Sequence, residues 1–159
     1  MENNKKYITN GWLAIIIVIL ILVIDQIIKI EVKTNMTLGE AIRITDWFYI
    51  DFIENNGMAY GMTFFNKLVL SLFRTLAIGS IGWYIWRVVK TGIFSRGYIV
   101  CLAMILAGAA GNLIDCLFYG LIFDASTPFS VADFVSFGTG YSTFLHGKVV
   151  DMFYFPIIR

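Results

Sequence analysis

The sequence predicts an α-helical polytopic membrane protein, with three transmembrane helices and a small extracytoplasmic β-sheet between the first two. Three observations carry that prediction. Apolar residues make up 58% of the 159 residues and charged residues 14%, whereas a soluble domain carries about a quarter charged residues; mean hydropathy is +0.77. Three apolar stretches, at about residues 12–32, 68–86 and 98–118, each suit a hydrocarbon core of roughly 30 Å. Between the first two, the segment at about 33–65 alternates apolar and polar residues around Ala41–Phe52, AIRITDWFYIDF, the pattern of a half-buried strand or of the membrane interface. All 159 residues then form a single membrane domain. The net charge of +1 carries no nucleic-acid signature, and none is expected as a partner.

Met1 to Asn10 is polar and carries Lys5 and Lys6, and Trp12 to Ile24 follows without a polar side chain. A cleavable secretory leader is the first alternative. No small-x-small site follows, however, and the helical pattern runs on through Asp25, Gln26 and Lys29 to Val32. Asp25 and Lys29 stand four apart and can pair on one helix face. They equally suit the charged end of a span at the water boundary. The strand-like segment closes on Glu54-Asn55-Asn56-Gly57, where Asn-Gly signals a turn. Read alone, that turn has no chemistry.

The second span carries Arg74, and Arg87, Lys90 and Arg96 cluster before the third. Short loops rich in Lys and Arg stay cytoplasmic. The N-terminus is therefore expected inside, and the segment with Glu40, Asp46, Asp51 and Glu54 outside. The third span contains Leu106 to Cys116, LAGAAGNLIDC, in which Gly108, Gly111, Asn112 and Asp115 recur at helical spacing and share one face. The glycines and Ala107 let another backbone approach, and polar groups at that depth face a bundle interior or a cavity. A small-residue packing seam with one hydrogen-bonded Asn explains the same spacing. Cys101 and Cys116 lie on one helix, about 22 Å apart at the usual rise, too far to bridge.

The segment at about 119–150 reads as an ordered outer loop, aromatic and rich in Gly, Ser and Thr, with a short surface helix expected. His146 has no second His and no Cys near it, so no metal site is expected. Val149-Val150-Asp151 then sets one carboxylate among aliphatic and aromatic residues. Such surroundings push a carboxyl pKa upward, as a general acid or base near neutral pH requires. A carboxylate capping a helix or turn is the plainer reading.

Taken in order, Asp25-Gln26-x-x-Lys29, Asn55-x-Gly57-x-Ala59-Tyr60, Gly108-x-x-Gly111-Asn112-x-x-Asp115 and Val149-Val150-Asp151 span nearly the whole chain. Together they resemble bacterial lipoprotein signal peptidase, signal peptidase II. The resemblance implies a four-span aspartic endopeptidase of the bacterial inner membrane, monomeric and without cofactor. Such an enzyme removes signal peptides from prolipoproteins before a diacylglyceryl-modified cysteine, and its site lies near the outer face. By the resemblance Asp151 matches one of two catalytic aspartates. Asp25, Lys29, Asn55, Gly57, Gly108, Gly111, Asn112 and Asp115 match residues that line or support the site.

Three departures qualify the match. Cys116 stands where the family has Arg, so a guanidinium at the site has to come from elsewhere, with Arg74 a candidate. The link from Asp115 to Asp151 is longer than usual. The second family aspartate lies after Asp151, in an Asn-x-Ala-Asp motif opening a fourth span, and this places it beyond the end of the chain. The 159 residues are therefore expected to be an incomplete form with doubtful activity alone. Ser130-Val131-Ala132-Asp133 offers only a superficial substitute. Two other classes remain open on the residues: a small transporter or channel subunit, and a non-catalytic membrane interaction protein.

Overall fold

A chain without water around it has to satisfy its own backbone, and in apolar sequence the local solution is the helix. The computed structural model describes residues 2–56 and 67–156. Its long helices are α1 (Glu2–Asn35), α2 (Lys67–Thr91) and α3 (Arg96–Ile114). Three stretches, Tyr7–Asn35, Val69–Thr91 and Arg96–Ile122, are long and apolar enough to cross a membrane. Trp12, Ile16, Ile19, Leu20, Val23 and Ile27 of α1 are all exposed, as expected of a helix that meets lipid. α1 and α2 outrun their predicted spans, α1 including both the polar start and Lys33 to Asn35, whereas α3 starts two residues early and stops at Ile114, short of the predicted end at about 118. After Thr91, Gly92 takes the left-handed conformation at φ 67°, which ends α2 at little steric cost.

Past Ile114 the helix widens into a π turn at Asp115–Tyr119, followed by one short turn, α4 (Gly120–Ile122). The wide turn rotates the helical face. Asp115, Cys116 and Tyr119 are thereby all buried.

The sheet has three antiparallel strands in the order β1 (Ala41–Thr45), β2 (Phe48–Asn55), β3 (Val149–Tyr154). The small sheet expected between spans one and two is present as β1 and β2, and a third strand from later in the chain extends it. β3 arrives from beyond the third span and pairs with β2 at Tyr154–Tyr49, Phe153–Ile50, Asp151–Ile53, Val150–Glu54 and Val149–Asn55, with an irregularity between Ile50 and Ile53. β3 is apolar enough to pair because Val149, Val150 and Met152 all bury.

No surface helix forms among residues 123–148. With Pro128, Gly138, Gly140 and Gly147 the segment lacks a helical period, and its backbone bonds go elsewhere. Val135 N–H donates to Ile122 O at 2.9 Å, Tyr141 N–H to Phe123 O at 2.9 Å and Ser142 N–H to Gly120 O at 2.9 Å.

The chain divides into two compact units. One comprises residues 1–26 and 72–111, with Ala14, Ile85, Val88, Val89, Ile99 and Ala103 as its core. The other comprises residues 27–71 and 112–159. Its core is Val32, Met36, Phe52, Tyr119, Phe123, Val150 and Met152.

Candidate active site

In the first unit the buried face of α3 runs Ile99, Ala103, Ala107, Gly111, each four residues after the last. At Gly111 a Cβ would run into the Asp25 carboxylate, whose Cγ would lie 3.2 Å away. Gln26 Nε2 donates to Asp25 Oδ2 at 3.1 Å and, more weakly, to Gly111 O at 3.4 Å. Gly111 is thus a close-approach glycine, but what approaches it is the Asp25 side chain and not the backbone that the sequence suggested. Gly108 is not one, because nothing lies within 4 Å of a Cβ built there. Its position is one step around the helix from the Ala103-Ala107-Gly111 stripe. Arg74 lies half-buried on α2.

In the second unit Lys29 is nearly sealed, with its side chain 3% exposed, and Asp115 is fully sealed at 0%. Lys29 Nζ donates to Asp115 Oδ2 at 2.7 Å and to Asn112 Oδ1 at 2.9 Å. A buried charge persists only when paired and hydrogen-bonded, and both requirements are met. The same Asp115 oxygen accepts the Val150 N–H at 3.2 Å. Asp115 therefore joins α1 to the backbone of β3 one residue before Asp151.

Gly147 leads into that strand. Its N–H donates to Cys116 O at 2.9 Å. A Cβ there would overlap Asp115 O and meet Cys116 O and Gly120 N, each at 3.1 Å. Cys116, standing where an Arg was expected, is buried.

Strand alternation places Val150 and Met152 inside and Asp151 outside. The sequence put Asp151 in an apolar setting. The structure corrects this: its neighbours in the chain are buried, but its own carboxylate faces outward because successive strand side chains point to opposite faces. Asn55 sits half-buried at the end of β2, opposite Val149. Gly57 lies outside the described residues. Asp133, the superficial alternative, is exposed in the long loop, where its N–H binds Asp124 Oδ1 at 2.7 Å. Among the described residues no group of three His, Cys, Asp or Glu side chains converges on a cation position.

One cluster escaped the sequence altogether. Lys33 from α1 pairs with Glu54 from β2. Ser126 Oγ lies 2.8 Å from Lys33 Nζ and donates to Glu54 Oε1 at 3.0 Å, while Lys148 Nζ reaches Glu54 Oε2 at 2.9 Å. Lys148 N–H donates to Tyr141 OH at 2.8 Å. Burial pushes the Glu54 carboxyl up, but the hydrogen bonds from Lys33 and Lys148 outweigh it and hold the group below its ordinary value. Burial drives the Tyr141 phenol well above its usual range, so it stays protonated. Only the charge of Lys33 hinted at this, and charge at a helix end has many explanations.

With this geometry in place, comparison with known proteins is decisive about kinship. The profile of the family described as signal peptidase (SPase) II matches residues 17–159. The chain belongs to the signal peptidase II family. It is 44% identical to the lipoprotein signal peptidase of Porphyromonas gingivalis over 159 residues, which is all of this chain and 70% of that one. To the lipoprotein signal peptidase of Amoebophilus asiaticus it is 36% identical over 147 residues, 89% of this chain and 58% of the relative. Two structures of bacterial membrane enzymes, solved by the in meso method, superpose with TM-scores of 0.63 and 0.62 at 20% and 21% identity. Each covers 91% of this chain, and the matched parts are 70% and 74% of those chains. That likeness concerns the fold. Signal peptidase II membership thus agrees with the motif order, and the three span-length helices agree with a multi-pass bacterial membrane protein.

Proposed function

We propose that this signal peptidase II family member is an aspartic endopeptidase that removes the signal peptide of prolipoproteins just before a diacylglyceryl-modified cysteine. The observation that carries the assignment to Asp151 is its presentation. Asp115 holds the Val150 N–H at 3.2 Å, and strand alternation turns the next side chain outward, where a peptide can reach it. In the mechanism an ionised carboxylate takes a proton from the attacking water. A second, protonated carboxyl donates to the scissile carbonyl as it becomes tetrahedral. Such a pair shares one proton and titrates as a unit. The family pattern places the second member of such a pair C-terminal to the position that Asp151 matches.

Asn55 and Asn112 hydrogen-bond the peptide or the dyad; Asp25, Lys29, Gly111 and Asp115 hold their supports; Gly57 and Gly108 complete the motif positions. The spans grip the signal-peptide helix and the lipid chains, in a monomer with its N-terminus cytoplasmic and its site near the outer face of the inner membrane. Exclusion of bulk water at that depth strengthens both proton transfers. The test is cleavage of a lipid-modified prolipoprotein by the full gene product in lipid. Asp151→Asn should lose about 10²–10⁴-fold in kcat while remaining folded. Undiminished cleavage by that variant would remove Asp151 from the mechanism.

A further inference from the structure

Glu54, Lys33, Ser126 and Lys148 belong to none of the motifs quoted above for the family, yet they form a largely buried polar cluster beside the strands that carry Asn55 and Asp151. The Glu54 and Lys33 side chains are 3% and 0% exposed, and Lys148 is 34% exposed. Both Glu54 oxygens are occupied: Oε1 by Lys33 and Ser126, Oε2 by Lys148. The Lys33 ammonium also sits 5.1 Å from the Tyr141 ring, 5.5 Å from Phe123 and 5.9 Å from Phe52, within the range of cation–π attraction. Four separate pieces of chain meet here: the end of α1, β2, the long loop and the residue leading into β3.

Position gives the cluster its consequence. Glu54 stands opposite Val150 and adjoins Asn55, and Lys148 is three residues before Asp151. The β2–β3 ladder is irregular between Ile50 and Ile53, and Asp151 pairs with Ile53 at the edge of that break. A slip of one residue would turn the Asp151 side chain to the face that buries Val150. We infer that Glu54, gripped by Lys33 and Lys148, is a positioning residue for the reaction: it locks β2 and β3 to the end of α1 and so fixes where Asn55 and Asp151 meet the substrate. The inference rests on the reading of Asp151 given above. No atom of the cluster needs to touch substrate.

The experiment uses the full gene product in lipid, with Lys148→Met, Lys148→Arg, Glu54→Gln and Asp151→Asn. Kinetics on a lipid-modified prolipoprotein are read beside hydrogen exchange of the Val149–Tyr154 amides. Lys148 is partly exposed and leaves Glu54 with Lys33 and Ser126, so Lys148→Met keeps the test alive where Glu54→Gln fails to fold. Lys148→Met should lower kcat about 10- to 100-fold, the scale of a misplacement near 1 Å. KM should change less than about threefold, and β3 exchange should quicken while the helices stay protected. Lys148→Arg should restore most of kcat. Unchanged β3 exchange, or quickened exchange with full kcat, overturns the lock. Cleavage by Asp151→Asn would sink the aspartyl reading alone, and the Lys148 pair would still decide whether the lock positions the strands.

Discussion

Glu54 is a carboxylate held ionised by two ammonium groups where burial alone would favour its neutral form. Its folded pKa lies below the ordinary 4.5. The sign follows directly: a depressed carboxyl contributes stability that is complete above the unfolded value and disappears as pH falls through the folded one. The groups facing it are Lys33 from α1, Ser126 from the loop and Lys148 before β3, with Tyr141 protonated beside them. Thermal unfolding in detergent should therefore show stability falling as pH drops below about 4.5. Glu54→Gln should be less stable at pH 7 by about 3–5 kcal/mol, because it strands buried ammonium charge, and should lose less on acidification. Parallel pH profiles for the two proteins would contradict this account of Glu54.

Strand β3 shows how one element depends on contacts made before it begins. The π turn brings Asp115 and Cys116 inward together, and Gly147 passes against both so that its N–H reaches Cys116 O at 2.9 Å. A methyl group there has no room, since the neighbours are backbone atoms of Asp115, Cys116 and Gly120. Backbone cannot swing aside as the end of a long side chain can. Gly147→Ala should cost about 1–3 kcal/mol or more, the usual scale of overpacking. It should also loosen the Asp115–Val150 bond, which differential scanning in detergent and β3 hydrogen exchange would register. A melting temperature equal to wild type would show that the π turn yields more readily than the packing implies.

For the whole molecule the open quantity is orientation across the bilayer. Arg87, Lys90 and Arg96 lie around the connection between α2 and α3, and Glu40, Asp46, Asp51 and Glu54 lie on or beside the β1–β2 hairpin. The positive-inside rule then puts that hairpin outside. Asp46 is the better reporter, because its side chain is 83% exposed whereas Asp51 is half-buried. In a Cys101→Ser, Cys116→Ala background, Asp46→Cys should react with a membrane-impermeant thiol reagent in intact spheroplasts. Lys90→Cys should react only after lysis. The reverse pattern would invert the topology.

Sequence by itself determined the membrane class, the three long apolar helices, the strand character of the segment around Ala41–Phe52 and the order of the family motifs, but not the turn at Asp46 and Trp47 that divides that segment into β1 and β2. Each is written in local composition or in a short period, and an apolar run about 20 residues long has few alternatives in lipid. It also marked Asp115 as a buried partner of other chain segments, because a carboxylate at that depth requires one. Tertiary structure alone decided which long-range pairings occur. β3 joins β2 across roughly a hundred residues, and no local period encodes that partnership. The buried seam of α3 runs through Ala103, Ala107 and Gly111 at a step of four, and Gly108, next to Ala107 in the chain, falls one step around the helix from it, which the three- and four-residue spacing alone did not separate. The outward turn of Asp151 and the Lys33–Glu54–Lys148 cluster appeared only on folding. Burying those charges is costly until the partner is in place, and the partners are brought together only by the packed fold.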